Sequence, residues 1–169
     1  MSNDKLQKDS TTSYTNNKSG YTLIEILVSL TIIGIVFGFG YASYRDFSRR
    51  QALKDAAKIV QGDLRFAQEN AIAGQKPAGC STTLVGYNFN VYSTSAYRIE
   101  ADCGSTTITV KDVTVPSDIT LVIPSLNPLL FKVLGQGTNI GSSNWELLLN
   151  QTGTLNQAKV IVTSGGEIK

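Results

Sequence analysis

Histidine is absent from this 169-residue chain, cysteine occurs twice and proline four times. Without histidine there is no Ser-His or Cys-His nucleophile system. Two cysteines alone make too small a donor set for a zinc site. No aspartate cluster has the spacing of a calcium-binding loop, so no metal is expected. No G-x-x-x-x-G-K-[ST] run is present to cradle phosphates, and Gly135-Gln136-Gly137 reads as a turn. Glu100 and Asp102 alternate along one expected strand and read as a solvated face. Neither an enzyme activity nor a cofactor is expected. The formal net charge is only +2, which exerts no strong pull toward nucleic acid.

Charge is also missing from Tyr21 to Tyr44, with the single exception of Glu25. Those 24 residues reach roughly 36 Å as a helix, enough to span a bilayer with some tilt. A lone intramembrane carboxylate costs about 2.5–3.5 kcal/mol even on the lenient insertion scale. A signal-anchor with a stray glutamate is the bland alternative to a carboxylate kept for a purpose. The preceding residues are polar, with Lys5, Lys8 and Lys18 against Asp4 and Asp9, and have no apolar core of the kind removed from secretory signals. Those lysines favour a cytoplasmic leader, whereas Arg45, Arg49 and Arg50 after the run argue the other way, so charge bias leaves the orientation open.

Beyond the run, Leu53, Ala56, Ala57, Val60, Leu64, Ala67 and Ala71 recur at steps of three and four, one helical face. Arg49, Lys54, Asp55, Lys58, Asp63, Arg65 and Glu69 are expected to supply polar surface. Gly74 and Pro77 end the pattern. A continuous helix from about Thr22 to Ala73 would be roughly 78 Å long. Gly34 and Gly38 have the G-x-x-x-G spacing of close helix contacts, although glycine is simply common in membrane helices. After Gly74 the composition turns to Thr, Val, Ile, Tyr, Asn and Gly. Strands are expected at 83–92, 96–101, 106–113, 119–123, 129–133, 146–149 and 159–163, with 135–144 a long connection. The division is a leader 1–20, an apolar helix 21–44, an amphipathic helix 45–74 and one β-rich domain 75–169. The fold class is α+β, a long N-terminal helix packed on a C-terminal antiparallel sheet. Cys80 and Cys103 are either bridged or free; a bridge over a loop of this size would stabilise by about 3 kcal/mol in the chain-entropy picture.

The run K-S-G-Y-T-L-I-E-I-L-V-S-L-T-I-I-G-I-V, Lys18 to Val36, resembles the class III signal of type IV pilins and pseudopilins. The resemblance implies cleavage between Gly20 and Tyr21 by a prepilin peptidase and methylation of the new Tyr21 amine. Thr22 and Glu25 then stand at the second and fifth mature positions. Tyr21 replaces the commoner Phe, but the chemistry acts on the amine. It further implies that Glu25 satisfies the amine of a neighbouring subunit in lipid and sets axial register, a role in assembly and not in catalysis. The partners implied are other pilins or pseudopilins, the peptidase and methyltransferase, and an inner-membrane assembly platform. The leader would lie in the cytoplasm and the globular domain outside, in a pilus or pseudopilus after processing. The segments Arg65–Ala73, Leu130–Gly137 and Val160–Ile168 are similar to H-type minor pseudopilins of type II secretion and to T-type minor pilins. A major pilin and a DNA-uptake minor pilin are the alternatives. The latter would need clustered cations, and the domain 75–169 has six basic and six acidic residues, which argues against nucleic acid.

Overall fold

The computed structural model describes residues 20–169. Residues 1–19, with nearly all of the expected leader and Lys5, Lys8 and Lys18, lie outside the described residues. The chain forms two compact units, one ending at Ala42 and the other running Ser43–Lys169. Helix α1, Leu23–Ile72, contributes residues to both.

α1 begins at a capping sequence that the periodicity alone does not reveal. Thr22 is the N-cap: its Oγ1 accepts the Glu25 N–H at 3.3 Å, and Thr-x-x-Glu is the spacing of a capping box. A carboxylate in the first turn is also favoured by the helix dipole. From Leu23 to Phe39 the apolar side chains are exposed. The hydroxyls in this stretch are spent on the helix itself: Ser29 donates to the Glu25 carbonyl at 2.7 Å and Thr31 to the Val28 carbonyl at 2.8 Å. No polar side-chain donor is left facing outward at those two positions, as an apolar surrounding requires. Among the described residues, α1 is long and apolar enough to cross a membrane.

In the second unit the three-and-four pattern becomes a buried stripe. Leu53, Ala56, Val60, Leu64, Ala67 and Ala71 are all buried, and Ala57 packs beside them. Three of these six buried positions, Ala56, Ala67 and Ala71, are alanine, which lets the strands approach the helix closely. α1 stops where Gly74 turns left-handed at φ 61°. The Gln75 N–H donates to the Asn70 carbonyl and the Gly74 N–H to the Ala71 carbonyl, each at 3.0 Å. This is the glycine-dependent Schellman closure, which satisfies carbonyls the helix leaves open. Asp63 departs from expectation. Assigned to polar surface by its charge, it is 6% exposed, because it lies three residues after Val60 and four before Ala67 on the same stripe.

Seven strands follow: β1 Gly86–Ser93, β2 Ala96–Asp102, β3 Thr107–Thr114, β4 Ile119–Val122, β5 Leu129–Lys132, β6 Trp145–Gln151 and β7 Gln157–Val162. Each expected strand is present, with ends displaced by up to three residues. They form a four-stranded sheet in the order β3-β2-β1-β5 and a three-stranded sheet β4-β6-β7. Every pairing is antiparallel. Gly86 is required where β1 meets β5, because a Cβ there would overlap the Phe131 carbonyl oxygen. The two sheets and the helix stripe share one core. At its centre the Phe89 ring stacks on Tyr97 at 4.7 Å and meets Trp145 edge-on at 5.9 Å, joining one sheet to the other.

The outer edges of the sheets are mostly covered. The Lys132 N–H donates to Gly137 and Asn139 exchanges bonds with Leu130, closing β5. The Ile161 and Lys169 backbones exchange two bonds at 3.0 and 2.9 Å, closing β7. β3 is interrupted instead: Ile99 faces Lys111 and Glu100 faces Thr109, so Val110 bulges out of register.

Candidate functional site

Gly20 and Tyr21 precede α1 in irregular backbone. Gly20 has open space where a side chain would project, and Tyr21 is 79% exposed. A peptide bond in irregular, accessible chain is what a protease needs. Glu25 stands one helical turn on, exposed, with its backbone N–H held by Thr22. The structure thus brings Thr22 and Glu25 together as a cap, next to Gly20 and Tyr21 in sequence.

Within the Ser43–Lys169 unit, four contacts fix the helix to the strands. Gln151, 3% exposed, donates from Nε2 to the Arg49 carbonyl at 2.9 Å. Gln68 donates from Nε2 to the Gly166 carbonyl at 2.8 Å. The Tyr87 hydroxyl donates to the Gln75 carbonyl at 2.7 Å, just past the helix end. Asp63 accepts twice, from the Tyr97 hydroxyl at 2.7 Å and from Lys111 Nζ at 2.5 Å. Lys111 remains 45% exposed, so water screens its share of this pair. No such partner role was read from sequence: Arg49 and Asp63 were assigned to polar surface, although the spacing of Asp63 places it on the buried stripe.

Burial first, then the hydrogen bond to Asp63 and the charge of that carboxylate, hold the Tyr97 phenol protonated far above its ordinary range. In the unfolded chain the phenol loses its proton near pH 10. Above that pH the unfolded state binds fewer protons than the folded state, so this contribution is complete below about pH 10 and falls as pH rises. Tyr97→Phe is expected to cost about 1–3 kcal/mol at neutral pH, because a buried carboxylate oxygen loses its donor. The deficit should narrow above about pH 10. Urea unfolding of both proteins across that range checks it; parallel pH profiles would contradict the assignment.

Cys80 and Cys103 are joined in a disulfide with Cα atoms 5.8 Å apart and a sequence separation of 23. Cys103 is fully buried, and its carbonyl accepts the Thr82 hydroxyl. The bridge ties the loop before β1 to the end of β2. Glu100, expected to be solvated, has a side chain only 12% exposed, paired with Arg98 at 3.5 Å and bonded by Asn90. The Arg98 guanidinium in turn covers the Tyr92 ring at 3.9 Å, which closes that face over the carboxylate. Asp102 accepts the Gly104 N–H at 2.9 Å and shapes a turn. Among the described residues no three of His, Cys, Asp and Glu gather as metal ligands would.

Residues 15–41 match the family described as the prokaryotic N-terminal methylation motif. The match covers Gly20, Tyr21, Thr22 and Glu25, the residues just described. A fimbrial protein of Neisseria meningitidis serogroup A is 22% identical over 103 residues, 60% of this chain and 61% of that protein. The chain therefore spans about three-fifths of the length of the curated relative it matches. No solved structure matches. What the molecule is similar to is thus, at its N-terminus, a prokaryotic methylation motif carried on residues 15–41, and more broadly a fimbrial protein.

Proposed function

We propose that this chain is a type IV pilin-like structural subunit, cut between Gly20 and Tyr21, methylated on Tyr21, and assembled into a thin filament through α1. The observation that carries the reading is the methylation motif over residues 15–41, set on a helix whose apolar side chains are exposed from Leu23 to Phe39. Such a surface needs lipid first and neighbouring helices afterwards. Residues 21–44 are the membrane segment, 45–74 continue the stem, and 75–169 form the extracytoplasmic domain.

Glu25 is the assembly residue. It projects from the first turn, and the amine of a neighbour's Tyr21 is the cation that would neutralise it at low dielectric. Other pilins or pseudopilins, the prepilin peptidase with its methyltransferase, and an inner-membrane platform are the partners. The likeness to a fimbrial protein favours a pilus over a secretion pseudopilus. Within that class the segments at Arg65–Ala73, Leu130–Gly137 and Val160–Ile168 favour a minor, H- or T-type subunit.

Intact mass and N-terminal sequencing of the protein from its native membrane or shed filaments test the proposal. A chain beginning at methylated Tyr21 is expected. A chain still beginning at Met1 in cells with active peptidase would overturn it.

A further inference from the structure

We infer that the tip of the β6–β7 hairpin, with Leu155 at its head, is a membrane-contacting foot that works beside an arginine collar on α1 and prefers an anionic lipid surface. The inference rests on residues 21–44 spanning the bilayer, as proposed above. Its own support comes from within the Ser43–Lys169 unit.

The orientation of the hairpin follows from two contacts. Gln151, beside the tip, bonds the carbonyl of Arg49, and Gly166, beyond the far end of β7, is bonded by Gln68. α1 rises about 28 Å from Arg49 to Gln68. Strands of six and seven residues, as in β7 and β6, extend roughly 20 Å. The hairpin therefore lies along the helix, with its tip toward the helix N-terminus. From Gln151 the chain continues into the turn, and two extended residues carry it about 6 Å further. That distance is about four helical residues, which brings the tip level with Arg45.

The chemistry at that level suits a lipid surface. Leu155 is 100% exposed, and the tip Thr152-Gly153-Thr154-Leu155-Asn156 has no charge. A fully exposed leucine on an uncharged turn gains by entering an interface. Tyr44, 68% exposed, is of the type that settles at headgroup depth, and Phe47, 66% exposed, adds an apolar ring that can enter the interface. Arg45, Arg49 and Arg50 stand against one acid, Asp46, between Tyr44 and Arg50. Asp118 lies close to Gln151, 3.5 Å from its Nε2, and is the other acid at this level. Cations outnumber acids, and the headgroup layer extends roughly 5–8 Å beyond the hydrocarbon, about the rise from Tyr44 to Arg49. Phosphates of anionic lipid fit that collar.

The test uses the full chain in vesicles. The described cysteines are both in the disulfide, so Leu155→Cys accepts a single environment-sensitive fluorophore. Leu134→Cys is the control: Leu134 is 73% exposed and lies 3.8 Å from the Cβ position of Gly74, at the opposite end of α1. Vesicles are pure phosphatidylcholine or contain three parts in ten phosphatidylglycerol. The Leu155 label is expected to shift blue and resist aqueous iodide, more so with phosphatidylglycerol, while the Leu134 label stays open to quenching. R49Q/R50Q should weaken the anionic-lipid preference by about fivefold per arginine and leave insertion intact. A Leu155 label quenched as freely as Leu134, in protein that resists carbonate extraction, overturns the foot while the membrane span stands. Shielding that is equal in both lipids overturns the collar's part. Protein stripped from the vesicles by carbonate overturns the span and the foot with it.

Discussion

Glu25→Ala should abolish filaments while leaving the protein in the membrane. Breaking one partner of an ion pair at low dielectric costs about 3–5 kcal/mol, which is roughly a hundred- to a few-thousand-fold in subunit association. Insertion should improve, since the carboxylate itself opposes it by about 2.5–3.5 kcal/mol. The Thr22 cap supplies a competing explanation, because alanine also removes an N3 residue. Glu25→Gln separates the two, since glutamine serves in a capping box as well as glutamate does but carries no charge. If charge pairing is the function, Gln should fail as Ala does. Counting shed filaments by microscopy, with membrane fractionation as the control, decides it. Normal filaments from Glu25→Gln would reduce Glu25 to a helix cap.

Phe89→Ala should give the largest loss of stability from a single core substitution. The ring is fully buried and touches both Tyr97 and Trp145. Truncating a buried Phe costs about 3–5 kcal/mol. Here the void would open between two sheets as well as beneath the helix stripe, which limits collapse around it. In a protein of this size the melting temperature should fall by about 10–20 °C. Thermal unfolding followed through Trp145 fluorescence measures the effect directly, because that ring loses its neighbour. A fall of less than about 3 °C would mean that the sheets close over the gap.

The parts of the fold that are local in sequence were legible in it. The apolar run, the stripe from Leu53 to Ala71 and the seven strands all follow from periodicity. The parts that were not legible join distant residues or depend on a side chain acting against its type. Asp63 was read by its charge, yet its spacing places it on the buried face, where Tyr97 and Lys111 satisfy it. Glu100 was read as solvated because no pattern foretells that Arg98 will fold over it. The Gln151–Arg49 contact spans 102 positions, and no local signal encodes it. Nor does the order β3-β2-β1-β5, in which a late strand returns beside an early one. At the N-terminus, the residues from Gly20 to Glu25 were read as a processing motif. Their second nature as a helix cap needed the hydrogen bond between Glu25 and Thr22.

The treatment of the sheet edges bears on how such molecules can crowd without clotting. An open strand edge is a template on which a second chain can zip. In this protein the segment around Gly137–Asn139 occupies one rim and the backbone of Ile168 and Lys169 another. On the third, β3 is spoiled by the bulge at Val110 and by Lys111, which leans inward to Asp63. At those three rims, copies packed side by side in a thin layer would meet lids and kinks in place of open ladders.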